Sequence, residues 1–161
     1  MRNLAVVAVV ALSIVTGCSR KEPADPAAIK ALMTQKVQPV AVVYWNAVQY
    51  ISDETGTREI RPETDADWNR TIEAARSLKQ LGEELKLPAN AAGRGTDWQD
   101  FAQGLVDAAG QAEQAARSRS PEKVLEAGGT VYNVCSACHE VYMPSPTGLS
   151  PVVEGTNRPS H

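Results

Sequence analysis

Three features of the sequence predict an all-α fold, an antiparallel four-helix bundle. They are an alanine-rich composition poor in aromatics, four helix starts with capping chemistry, and apolar residues at helical spacing behind each start. Among 161 residues, hydrophobic side chains make up 43 % but aromatic ones only 5 %, with a single phenylalanine, Phe101. Alanine and valine therefore carry most of the apolar surface, and few β-branched runs occur beyond the N-terminus, a balance that favours helix. The length suits one domain with a core of its own.

The first helix is predicted to start at Asp25-Pro26, an acceptor side chain before a proline at the first helical position. Ile29, Leu32, Met33, Val37, Tyr44, Val48 and Ile51 continue it at helical spacing. Pro39 removes one backbone hydrogen bond within it, which predicts a kink or two shorter helices. The link that follows, about 52–62, holds Gly56 and mixed charges and is expected to cross the end of the bundle, with no strand.

Thr64-Asp65-Ala66-Asp67 starts the second helix, whose Trp68, Ile72, Ala75, Leu78, Leu81 and Leu85 share one face up to a stop at Leu87-Pro88. Thr96-Asp97-Trp98-Gln99 reads as a capping box for the third, followed by Phe101, Leu105, Ala109, Ala112 and Ala116. Ser120-Pro121-Glu122 starts the fourth, with an acid where the helix dipole favours one. Its apolar face runs Val124, Gly128, Val131, Cys135, Cys138 and Tyr142 and stops at Met143-Pro144. Short links on either side of the third helix favour antiparallel neighbours. The domain so defined is 26–143, with a polar tether at 18–25 and a proline- and serine-rich tail at 144–161 that is expected to be disordered.

The N-terminus carries a separate message. Arg2 precedes an apolar run from Leu4 to Val15, too short to span a bilayer, which takes about 20 apolar residues. Basic start, apolar stretch and small residues describe a signal peptide, here 1–17. Val15-Thr16-Gly17-Cys18 resembles the lipobox of bacterial lipoproteins, which implies cleavage before Cys18 and acylation of its thiol. Multiple acyl chains would anchor the protein to a membrane. Ser19 is the residue type that in enteric bacteria sends such proteins to the outer membrane.

Net charge is −3, and loss of Arg2 with the leader would leave 15 basic against 19 acidic residues. No basic cluster stands out, so a nucleic-acid partner is not expected. No paired acids, nucleophile–base set or phosphate loop is visible, so no enzyme is expected.

With Cys18 lipidated, two cysteines remain, and both fall in Cys135-Ser136-Ala137-Cys138-His139. This is the c-type haem attachment pattern. Residues three apart on a helix share a face, so both thiols can reach the two vinyl groups along one porphyrin edge. His139, four after Cys135, shares that face and can bring its imidazole to the iron. Export agrees with this reading, because bacteria attach c-type haem outside the cytoplasm. A thioredoxin-like disulfide would instead open the helix after a strand. A zinc site would need a fourth ligand, which only His161 at the very end of the chain could supply.

Four helices with this motif on the last one resemble the class II cytochromes c, the cytochrome c prime family. The resemblance covers about 26–143. The first helix is also similar, with Met33 ahead of Val37, Pro39, Ala41 and Trp45. Where many members carry an aromatic and then an arginine after the histidine, this chain has Tyr142 followed by Met143. The resemblance implies one covalent haem c, held by Cys135, Cys138 and His139. It further implies Met33 as the second axial ligand of the iron, as in low-spin members, and often a homodimer.

The expected function is single-electron transfer between periplasmic redox partner proteins, from the periplasmic side of a membrane. The alternative is a five-coordinate haem that binds nitric oxide or carbon monoxide. A third reading is a structural lipoprotein whose cysteines are only a disulfide. Gly128-Gly129, in mid-helix, costs stability and hints at a close approach there.

Overall fold

A computed structural model describes residues 22–143. The signal peptide, Cys18 with its lipidation, and the tail at 144–161 lie outside the described residues. The fold is mostly helical, as expected. Three contiguous stretches, Pro26–Leu32, Met33–Val37 and Gln38–Trp45, together form α1. A hairpin follows, β1 at Gln49–Asp53 and β2 at Gly56–Ile60. Then come α2 at Asp65–Lys86, a short turn α3 at Pro88–Ala91, α4 at Thr96–Arg117 and α5 at Pro121–Tyr142.

Pro39 does not divide α1, whose three stretches are contiguous. The five residues before Gln38 form a π-helical turn, in which the Gln38 N–H donates to Met33 O, five residues back. A proline lacks the N–H and its ring collides with the carbonyl four residues earlier. Widening the turn just ahead of Pro39 moves that carbonyl away, and such π turns recur at functional sites. Met33 opens the wide turn.

The link at 52–62 corrects the strand-free expectation. It is an antiparallel hairpin in which Gln49 faces Ile60 and Asp53 faces Gly56. Ile51 belongs to β1, so α1 ends two turns earlier than its apolar spacing suggested. The turn explains why: Asp53 Oδ1 accepts from the Thr55 N–H at 2.9 Å, and Gly56 takes φ 123°, open to glycine. Tyr50, Thr57 and Ile60 supply β propensity that the surrounding charges obscured.

Three of the four helix starts cap as expected. Asp25 accepts from the Ala27 N–H, Thr64 and Asp67 form a reciprocal capping box, and Ser120 accepts from the Lys123 N–H. The fourth does not. Thr96 is itself helical, Gly95 holds the cap position at φ 81°, and Gln99 turns away to donate to Lys86 O at 3.1 Å. Two glycines around Arg94, Gly93 and Gly95, both have positive φ, and the helix begins directly after them at Thr96.

Neighbouring helices run antiparallel. Arg119 pairs with Asp65 and Arg76 with Glu113 along α2 and α4, and the Trp98 indole donates to Leu85 O at their other end. Close approach of these two helices rests on small residues: Ala75, Ala109, Ala112 and Ala116 are all wholly buried. The α4–α5 seam runs from Gly104 against Val134 to Trp98 against Tyr142. Helix α1 returns beside α2, with Lys36 on Glu84, and sends Tyr44 into the centre, where its hydroxyl donates to Ala112 O at 3.1 Å. Burying these faces is the main stabilising term, about 25 cal/mol per Å2 of apolar area. Among the described residues no helix is long and apolar enough to cross a membrane.

Candidate haem-attachment site

Cys135, Cys138 and His139 sit in the last third of α5, a helix capped at Ser120 and uninterrupted to Tyr142. Val124, Ala127, Gly128 and Val131 bury the first half of that helix. At the motif the burial lessens: both thiols are half-buried and His139 is exposed. Neither thiol is in a disulfide. Burial pushes the Cys135 thiol up, and pushes Cys138 up to about 11, with Cys135 adding and the Arg94 cation opposing. At neutral pH both are therefore protonated and poorly reactive as free thiolates.

The helix face beyond the motif is apolar. Leu125, Tyr132 and His139 follow at seven-residue steps and so share one flank, on which Tyr132 is 59 % exposed. Helix α1 packs on α5 through its second half, Gln38–Trp45, where the Trp45 indole N–H donates to Gly128 O at 3.0 Å. Trp45 and Tyr132 meet edge to face. The close approach hinted at by Gly128-Gly129 is thus real at Gly128, whose absent Cβ would stand 3.3 Å from the Trp45 ring. Above this point a cavity of about 650 Å3 opens between α1, the hairpin and α5, lined by Tyr50, Leu125 and Gly129 among others. It lies toward the start of α5, away from the two thiols.

Met33 is half-buried against the core at the opening of the π turn. Its helix begins at the end of the molecule where α5 finishes, because both are tied to the loop before α4. Ala24, just ahead of α1, donates to Ala92 O at 2.9 Å, and Tyr142, in the last turn of α5, donates to Arg94 O at 2.7 Å.

The donor set suits a haem better than a bare metal ion. Among the described residues no three His, Cys, Asp or Glu side chains cluster as a metal site. What is present is a thiol pair on one helix face, a histidine one residue on, and an apolar flank with an uncovered tyrosine. Those fit a planar macrocycle attached along one edge. Residues that sequence reading missed are Arg94 and Trp98, which join Tyr142 beside the motif. The Arg94 guanidinium lies over the Trp98 ring at 4.6 Å, and Trp98 meets Tyr142 edge to face at 5.0 Å. The one signal was Gly93-Arg94-Gly95, a cation set in a turn.

No protein family, curated protein or solved structure matches this chain. The site is therefore read from its own chemistry.

Proposed function

We propose that this chain is a membrane-anchored, periplasmic c-type cytochrome with one haem, passing single electrons between redox partner proteins. The observation that carries the reading is the placement of Cys135, Cys138 and His139 on one helix, both thiols half-buried, free and on one face. Each thiol would add across one vinyl double bond of the haem. The new carbon–sulfur bond takes the thiol sulfur, and the other vinyl carbon takes its hydrogen. His139 would hold the iron from one side, with its second ring nitrogen free for a hydrogen-bond acceptor. Such a haem supplies a reversible one-electron couple at the iron.

The architecture supports the same reading. Antiparallel pairing of α2 with α4 and α4 with α5, with α1 returning beside both ends, is what a four-helix bundle of the class II cytochrome c kind requires. Met33 would supply the second axial ligand, supported by the common end it shares with the motif and by the π turn it opens. Methionine and histidine together raise the potential and close the iron to gases. The lipobox at Cys18 and the apolar leader support a periplasmic, membrane-bound location.

The test is haem content. Wild-type protein isolated from a host able to attach c-type haem should give a pyridine haemochrome signal that survives a denaturing gel. Replacing both Cys135 and Cys138 by alanine should abolish it. Wild-type protein without covalent haem, or a double variant that keeps it, would overturn the reading. A high-spin, carbon monoxide-binding wild-type spectrum would favour gas binding instead.

A further inference from the structure

We propose, on the lipoprotein reading above, that one end of the bundle rests on the lipid surface that anchors Cys18. This is the end formed by the loop before α4 and the last turn of α5. Only Ser19, Arg20, Lys21 and Glu22 separate Cys18 from Pro23, where the chain becomes fastened to the bundle. Pro23 packs on Gly93, on which a Cβ would stand 3.1 Å from the proline Cβ, and the Ala24 N–H donates to Ala92 O at 2.9 Å. The Ala24 side chain is buried. Even fully extended, the chain from Cys18 to Pro23 spans about 17 Å. The 22 residues of α5 make a helix about 33 Å long. An acylated Cys18 in the membrane interface therefore cannot anchor a molecule standing on its hairpin end.

The surface at the tethered end suits lipid. From Leu87 to Gly93 the chain carries no charge. The charges flanking that stretch turn back on the protein: Lys86 bridges Glu83 at 3.1 Å, and the Arg94 guanidinium lies over the Trp98 ring at 4.6 Å. Leu87 is exposed, and so are Val141 and Met143 where α5 ends. Met143, at 64 %, is the most exposed large apolar side chain among the described residues. The Tyr142 hydroxyl, donating to Arg94 O, holds that last turn to the same loop. Such side chains gain by entering the boundary between headgroups and acyl chains, where stripping water from a charge would cost. The opposite end is different: its hairpin turn carries Asp53, Glu54 and Arg58, and the turn between α4 and α5 carries Arg119. Tyr50, Ile60 and Leu125, also exposed, stand at that hairpin end. Cys138 and His139 precede Met143 by about one turn of α5, so the proposed haem site is carried on the membrane-facing half.

The test uses the full mature protein, isolated with its lipid and reconstituted in vesicles of phosphatidylethanolamine and phosphatidylglycerol. The photoreactive residue p-benzoylphenylalanine is placed at Leu87, Met143 or Tyr50, all exposed, and each variant's circular dichroism is first matched to wild type. After irradiation, lipid adducts are quantified by mass spectrometry. The probes at Leu87 and Met143 should each form several times the adduct of the probe at Tyr50. Equal yields at the three positions overturn the proposal, and so does a higher yield at Tyr50. With the probe kept at Met143, Leu87→Glu should lower the adduct several-fold, and an unchanged yield overturns the apolar contact. A mature protein whose mass lacks diacylglycerol would instead overturn the lipoprotein reading on which the proposal rests.

Discussion

The Trp45 indole N–H donates to the main-chain oxygen of Gly128 across the seam between α1 and α5, at 3.0 Å. This bond fastens the first helix to the one that carries the cysteine pair, about two turns before Cys135, and it explains the first glycine of the Gly128-Gly129 pair. A Cβ on Gly128 would meet Trp45 Cδ1 at 3.3 Å and Tyr44 Cε1 at 3.5 Å, whereas one on Gly129 would meet nothing within 4 Å.

The two glycines should therefore respond oppositely to alanine. Gly129→Ala removes the entropy penalty of a mid-helix glycine and should stabilise by about 0.5–1 kcal/mol. Gly128→Ala should destabilise, because the indole it displaces is held by its own hydrogen bond. Gly82→Ala should lose more, about 1–3 kcal/mol: its Cβ would stand 2.8 Å from Val106 Cγ2 and 3.1 Å from the Val106 main-chain nitrogen. Denaturant melts of the three variants check the order. Gly128→Ala as stable as Gly129→Ala would refute it.

Acid should weaken the fold, and Glu113 should be one reason. Hydrogen bonds from Arg117 and then Arg76 hold its carboxyl below the ordinary carboxylate value, against desolvation. A carboxyl depressed in the folded state contributes stability above its unfolded pKa, and loses that contribution as pH falls through the folded value. The capping carboxyl of Asp67, lowered by the Thr64 hydrogen bonds, acts in the same direction. Thermal melting of wild type should fall as pH drops below about 4.3, the usual glutamate value. Glu113→Gln should show a smaller fall over the same range. Parallel curves would remove Glu113 from the account.

Met33→Leu tests the proposed axial ligand. The side chains are close in volume and the site is half-buried, so the fold should survive, at a cost of under about 1.5 kcal/mol. A low-spin spectrum should become high-spin, and the iron should open to carbon monoxide. An unchanged spectrum would leave Met33 as a core filler, a role methionine often plays.

Cys18→Ala tests the anchor. The variant should reach the periplasm or remain uncleaved, and in either case should take up no labelled fatty acid. Wild-type protein that incorporates none, or whose mature N-terminus lies before Cys18, would refute lipidation.

That Cys135, Cys138 and His139 share one helix could be read from the sequence because the pattern is local. Three spacings along one helix decide which side chains share a face, and α5 obeys them from Ser120 to Tyr142. The spans of α2, α4 and α5 followed from the same 3.6-residue period, and the caps at Asp25, Thr64 and Ser120 from hydrogen bonds between residues at most three apart. The hairpin at 49–60 escaped because its strands are five residues each and largely exposed, so no apolar alternation marks them. The capping box at Thr96 failed because Gln99 found Lys86 O, a partner 13 residues away. Tertiary structure alone decided that Ala24 and Tyr142 fasten to one loop, that α1 leaves Tyr132 on the flank of α5 exposed, and that the Arg94 guanidinium lies over the Trp98 ring. Such contacts join residues as far as 83 apart in sequence, and their partners are chosen by how whole helices pack. A periodicity reports which face of a helix is buried. It carries no information about which residue of another helix will meet it there.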